Sequence, residues 1–495
     1  MNKYFRVDSD NFIEIPFPYY QEFEKKKYKS KYQKVLFFVL NEGFVRTWKK
    51  IFSLKLEREI IKEQKIIACQ FNLEGITCVG IGRQLYEDRY KKFHPKLVFK
   101  IKEGSEFNLS RLRLNEKAIL KLASFLPVDE CPLDEKLPQE ILMQNLELEP
   151  FNVEIPDAYL WKPERIINKN NKKIFLYGFG SYVRSYSEKF FKNAINSIID
   201  YNKKVWASFV KRDEVSYFED YKDSLPFYQE IENPIAVIAT YHSSHFKIAK
   251  ELFRANPKGK VFIEKPPVVS FFDAIELINL RRKGFWFDVG YNRRYIDWNK
   301  YIKRILEKAE NPKIITMSVK EIIIPQNHWY FWPNQGTRIT GNLCHWIDLV
   351  YFWLKSRPIE LSLLNSDDSI NLSLLFEDGS LVSITASDIG NNLRGVQERV
   401  EIRMAEVTIF IDDYRKMVIY DNGKEIIKRK FLRDKGHDGM YKRFLNAIAS
   451  NESPEYQDDD IFWVSYITDK ASEMFLNNQR HSPVNPDEIE KKYFL

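Results

Sequence analysis

The chain is poor in the residues that staple small folds. Its 495 residues hold four cysteines, Cys69, Cys78, Cys131 and Cys344, with no CxxC pair and no framework spacing. That excludes a disulfide scaffold and a cysteine-based zinc module, and it fits reduced thiols in a cytoplasmic protein. Long apolar runs are also lacking. Residues 1–30 carry no apolar core resembling a leader segment, and the early run from Val35 to Leu40 is too short to span a bilayer. Glycine is scarce at 18 residues, so each glycine-rich turn carries information.

Positive charge is present in excess, at a net +8. Residues 1–100 alone hold 21 Lys and Arg against 12 Asp and Glu. Such a face suits nucleic acid, anionic lipid or a phosphorylated substrate, but no nucleic-acid module accompanies it, and it reads as a solvated surface. The length predicts two or three domains.

Residues 1–170 read as an α+β segment of no familiar type. Phe44, Trp48, Ile51 and Phe52 have helical spacing and mark one amphipathic helix with a basic outer face. Residues 127–172, rich in Pro, Glu and Asn, read as a linker. From Lys172 the rhythm turns to strand and helix, with apolar strands at Ile174–Tyr177, Val205–Val210, Ile235–Ala239, Val261–Ile263 and Phe285–Val289. Buried strands alternating with helices predict a parallel, doubly wound sheet over 171–292. Residues 293–495 then predict an α/β domain built on a large, mainly antiparallel open sheet, with hairpin turns at 377–380 and 421–424. The final helices, about 437–479, are placed to return over the first sheet.

Five motifs carry chemistry. Gly178-Phe179-Gly180-Ser181-Tyr182-Val183 follows the first strand: Gly178 permits the tight turn, and Gly180 lets the backbone approach a pyrophosphate. Val183 stands where a third Gly or Ala is usual, so helix and strand should sit farther apart. Thr240, His242 and His245 follow the strand that begins at Ile235, and Glu264-Lys265-Pro266-Pro267 ends another strand. Ligands of open α/β sheets bind at such carboxyl ends. His242 and His245 have the spacing of a metal pair but no Cys or carboxylate partner nearby, so no metal is expected. Gly290-Tyr291-Asn292-Arg293-Arg294 and Gly341-Asn342-Leu343-Cys344-His345-Trp346-Ile347-Asp348 complete the series.

In this order the motifs resemble the Gfo/Idh/MocA family, the relatives of glucose-fructose oxidoreductase and inositol dehydrogenase, over residues 172–480. The resemblance implies a Rossmann domain, an open-sheet domain often used for oligomerisation (hence a homo-oligomer), and oxidation or reduction of sugar, sugar-nucleotide or cyclitol carbons with NAD or NADP. It places the family's lysine at Lys265 and its histidine at His345. Gly178, Gly180, Ser181, Tyr182, Thr240, His242, His245, Glu264, Asn292 and Arg293 fall to the cofactor, and His328, Trp329 and Asn342 to a small-molecule substrate. A base must take the hydroxyl proton while hydride leaves, and a cation must steady the alkoxide; histidine and lysine suit these tasks. The family commonly places an Asp four residues before the histidine, and here that position is Gly341. Asp348 is the nearby candidate to orient His345 instead. The helix end beside His345 is expected to lower its pKa. Lys211 and Arg212, after the expected second strand, suit a 2′-phosphate, so NADP is expected to bind at least as tightly as NAD. A dinucleotide-binding scaffold subunit and a carbonyl or imine reductase are the alternative readings.

Overall fold

The computed structural model describes residues 5–7, 12–15, 65–73, 75–84, 91–114, 136–151, 165–168, 170–200, 214–309, 312–322, 335–366, 369–390 and 396–494, with residue 118 and short helical pieces between 35 and 51. Lys211, Arg212, His328, Trp329 and the strand expected at Val205–Val210 lie outside the described residues.

The N-terminal part is a six-stranded antiparallel sheet. Its long strands are Lys65–Leu73, Ile76–Gln84 and Lys91–Ile101; Gly75, whose φ of +87° suits a turn, lies between the first two. Ala68, Val79, Ile81, Leu97 and Phe99 alternate inward and pack on Leu109 and Ile141. The expected helix is present in pieces, but its apolar side is open: Phe44 and Trp48 stack on each other and are 66% and 63% exposed.

The second sheet is doubly wound. Strands β1 (Ile174–Tyr177), β2 (Ile195–Ile199), β3 (Ser216–Phe218), β4 (Ile235–Ile238), β5 (Lys260–Ile263) and β6 (Trp286–Val289) lie in the order 6-5-4-1-2-3, all parallel. A short strand at Arg165–Ile166, inside the expected linker, adds antiparallel to β3. The second strand therefore comes earlier than the sequence pattern placed it. Helices α1 (Tyr221–Glu230), α2 (His242–Ala255) and α3 (Phe271–Arg282) connect the later strands. Asp220 and Ser270 cap α1 and α3 by accepting from backbone amides.

After α4 (Asn299–Lys308), β7 (Ile314–Lys320) enters a nine-stranded sheet. Helix α5 (Cys344–Leu354) follows, then β8 (Pro358–Asn365), β9 (Ser369–Phe376), β10 (Leu381–Ser387), β11 (Gln397–Met404), β12 (Val407–Asp412), β13 (Lys416–Asp421) and β14 (Lys424–Arg429). All pairs described are antiparallel except β7 with β10. Burial alternates along β7, so one face packs on the helices and the other is open. Helix α6 (His437–Ala449) returns to the doubly wound sheet, where Met440, Tyr441 and Phe444 join Ile174, Leu176 and Phe262 in one core. Helix α7 (Asp458–Leu476) packs against α3 and α5. Among the described residues no helix is long and apolar enough to cross a membrane.

Candidate active site

The carboxyl ends of β1, β2, β4 and β5 meet at the glycine loop. Gly178 has φ +83°, and a Cβ there would fall 2.4 Å from the Ala239 carbonyl oxygen at the end of β4. Only glycine fits. A Cβ on Gly180 would meet nothing within 4 Å, so that side of the loop faces open space. The following turn, Val183–Ser187, is a wide π-turn, with Val183 buried among Ile174, Leu176, Phe179 and Phe191. The extra width accompanies a valine where the usual residue is smaller.

Asp200 stands immediately after β2, and its Oδ2 accepts the Phe179 amide of the loop at 2.8 Å. The sequence reading missed this carboxylate because it set the second strand ten residues later. The available signal was the apolar run Ile195 to Ile199 ending in Asp.

The two histidines of α2 tie backbone segments together. His245 Nδ1 lies 2.8 Å from the Pro266 carbonyl oxygen and Nε2 lies 3.1 Å from that of Thr240. Burial, which outweighs those carbonyls, pushes its pKa down to about 4. His242 Nδ1 lies 3.4 Å from the Gln335 carbonyl oxygen, and the buried Gln335 side chain donates to Ser243 Oγ at 2.8 Å. Thr240 Oγ1 accepts from Ser244 at 2.7 Å. Among the described residues no three His, Cys, Asp or Glu side chains converge as a metal site would require.

At the end of β5, Glu264 is buried and accepts from the Tyr441 hydroxyl of α6, which also reaches the Tyr182 hydroxyl at 3.4 Å. Burial raises Glu264 to about 7 despite these donors. Lys265 turns the other way, and its Nζ donates to the Gly341 carbonyl oxygen at 2.9 Å. Gly341 belongs to a π-turn, Ile339–Leu343, that runs into α5, so Lys265 stands one turn before His345.

His345 is 8% exposed, and its Nδ1 is buried with no hydrogen-bond partner among the described residues. Its ring meets Tyr291 edge-on at 6.3 Å. Burial holds its pKa well below the usual histidine range, with Lys265 and Arg293 adding positive charge nearby. The expected direction is therefore present, with a different cause: the start of α5 is covered by the preceding π-turn, and desolvation dominates.

Asp348 does not orient His345. It is wholly buried and receives the Arg294 guanidinium through Nε and Nη2 at 2.6–3.0 Å, while Arg294 also reaches Asp460 at 2.9 Å. Asn342 donates instead to Glu321, a buried carboxylate just past β7 that also pairs with Arg338. Asn292 and Arg293, expected beside the cofactor, turn toward the nine-stranded sheet: Asn292 donates to the Lys435 carbonyl at 2.6 Å, and Arg293 grips Glu398 of β11. Glu321, Glu398 and Tyr441 were not singled out by sequence, because each acts across a long stretch of chain that no local pattern records. A cavity of roughly 490 Å³, lined by Arg294, Lys303, Phe352 and Lys355, lies at the far end of α5 from His345.

A glycine loop at the topological switch of a doubly wound sheet, facing a lysine and a buried histidine, defines a dinucleotide-dependent oxidoreductase. Residues 173–289 match the Gfo/Idh/MocA family, an oxidoreductase family with an NAD-binding Rossmann fold. The match covers that part of the chain, and with the oxidoreductase relatives it supports a dehydrogenase or reductase. It is 24% identical over 324 residues to the uncharacterized oxidoreductase YrbE of Bacillus subtilis (strain 168), a match covering 61% of this chain and 91% of that protein. Its fold is similar to UDP-N-acetylglucosamine 3-dehydrogenase GnnA from Acidithiobacillus ferrooxidans (TM-score 0.52, 18% identity, 62% of this chain and 98% of that one). It is also similar to GenD2 from gentamicin A biosynthesis in complex with NAD (TM-score 0.53, 17% identity, 64% and 98%). These matches leave more than a third of the chain unaccounted for.

Proposed function

We propose that the chain moves hydride between NAD and a hydroxyl or carbonyl carbon of a sugar or nucleotide-linked sugar, with His345 as proton acceptor and Lys265 as the cation beside the reacting oxygen. The observation that carries this is the Lys265–Gly341 contact, which brings the lysine to within a turn of His345 across 76 residues of sequence. The buried, unpartnered Nδ1 of His345, on a ring kept neutral by desolvation, suits a general base. An ammonium at the same oxygen stabilises alkoxide during oxidation and polarises the carbonyl in reverse. The likeness in fold to GnnA, a UDP-N-acetylglucosamine 3-dehydrogenase, favours substrates of the sugar class.

The loop suits a dinucleotide: Gly178 closes the turn, and the open side of Gly180 admits a diphosphate. When bound, the nicotinamide ring accepts or supplies the hydride. Asp200, directly after the second strand, suits the ribose hydroxyls and would repel a 2′-phosphate, so NAD is favoured over NADP. Incubating the protein with NAD and a panel of sugars and sugar nucleotides, and following the reduced-nicotinamide absorbance, tests the reading. A signal with a sugar-type substrate supports it, and none with any member of the panel, in either direction, counts against it.

A further inference from the structure

Among the described residues, several ion pairs near His345 match cation to carboxylate, and one group does not. Arg294 and Lys355 face Asp348 and Asp460, Arg338 faces Glu321, and Arg433 faces Asp413. Arg293 and Lys435, however, share one carboxylate. Arg293 Nη2 lies 2.5 Å and Lys435 Nζ 2.7 Å from the same Glu398 oxygen. The other Glu398 oxygen accepts from Arg293 Nε at 3.2 Å and from Trp346 Nε1 at 3.0 Å. The three side chains are 6%, 12% and 0% exposed. Asp413 also acts on Lys435, so among the described residues three cations (Arg293, Lys435 and Arg433) meet two carboxylates; the excess sits in a dry place, where burial lowers Lys435 to about 8 and an arriving counter-charge would relieve the rest.

The excess lies beside the site. Trp346 is the chain neighbour of His345, and Arg293 and Lys435 are among the charges His345 senses. His437 stands on the same side, partly exposed and stacked on Tyr186 at 4.3 Å. Asn292 Nδ2, committed as a donor to the Lys435 carbonyl, lies 3.2 Å from His437 Nε2, which assigns Nε2 as acceptor and puts the ring proton on Nδ1. The ring of His345 stays neutral beside these cations, its buried Nδ1 left as an acceptor, so the positive charge gathers on the Arg293 and Lys435 side.

We propose that the substrate is anionic close to its reacting carbon, bringing a carboxylate or phosphate oxygen pair to the Lys435 side of His345. This rests on the sugar-oxidoreductase reading above. It narrows the substrate class to sugar acids or sugars whose phosphate folds back toward the ring.

Calorimetric titration of the NAD-saturated protein with D-glucuronate, D-glucose and uridine diphosphate tests it. Glucuronate and glucose differ only in the charged carbon, so their ratio isolates the carboxylate, and uridine diphosphate isolates the phosphate. At least one anion should bind about tenfold or more tighter than glucose. Lys435→Met should erase that preference while NAD affinity stays within about twofold, and Lys435→Arg should keep it. Glucose binding as tightly as both anions, no saturable binding of either anion, or an anion affinity unchanged in Lys435→Met would each overturn the proposal. A Lys435→Met chain that does not fold leaves the wild-type comparison to decide. Failure of NAD itself to bind would remove the underlying reading, and is seen before any sugar is added.

Discussion

The Lys265 ammonium donates to the Gly341 carbonyl oxygen at 2.9 Å, joining the end of β5 to the turn that starts the His345 helix. The contact falls at the position where the sequence resemblance leads one to expect a carboxylate, and what Gly341 offers there is a backbone carbonyl oxygen.

Lys265→Met should cut turnover by about a hundredfold or more, the scale of losing one oxyanion-stabilising donor, while leaving NAD affinity within a few fold. Steady-state kinetics beside NAD titration checks this. Turnover within a few fold of wild type would remove Lys265 from the chemistry.

The two loop glycines should fail differently. Gly178→Ala forces a Cβ into the Ala239 carbonyl at positive φ, and strain of this kind costs about 1–3 kcal/mol. Gly180→Ala meets no protein atom within 4 Å, so stability should change by less than about 0.5 kcal/mol. Its methyl group would nevertheless occupy the space left for the diphosphate, so NAD affinity should fall about tenfold or more. Melting curves and NAD titrations separate the cases, and Gly180→Ala with normal NAD affinity would contradict the loop assignment.

His245 makes stability depend on acid. Its folded pKa is depressed from 6.5 to about 4, so between those values the unfolded chain binds a proton that the folded chain refuses. Stability is fully present above the unfolded value and falls as pH drops toward the folded one, by about 3 kcal/mol at the order-of-magnitude level. His245→Gln should lose stability at neutral pH yet show a flatter decline between pH 6.5 and 4. Urea midpoints measured across that range would parallel the wild type if His245 has no such role.

Legibility followed burial. β1, β4, β5 and β6 are buried parallel strands and read as continuous apolar runs, so their positions were plain. β2 is equally buried but contains Asn196 and Ser197, which look like loop residues. The fold satisfies them internally, with Asn196 donating to the Lys172 carbonyl at 2.8 Å and Ser197 to Asn196 at 2.6 Å. That polar pair displaced the expected strand and hid Asp200. Lys265 and His345 were legible because each ends or begins a strongly patterned element. Glu321, Glu398 and Tyr441 were not, because their partners lie 17 to 177 residues away.

The account turns on His345 as the proton acceptor, and the pH profile of NAD reduction in wild type and His345→Asn tests it most directly. Neutral imidazole is the active form, and burial lowers its pKa, so the wild-type rate should stay level down through the usual histidine range and fall only below it. His345→Asn should lose that acid limb and react about two to four orders of magnitude more slowly, with NAD affinity unchanged. A variant that keeps both the rate and the acid limb would make His345 a packing residue and contradict the mechanism.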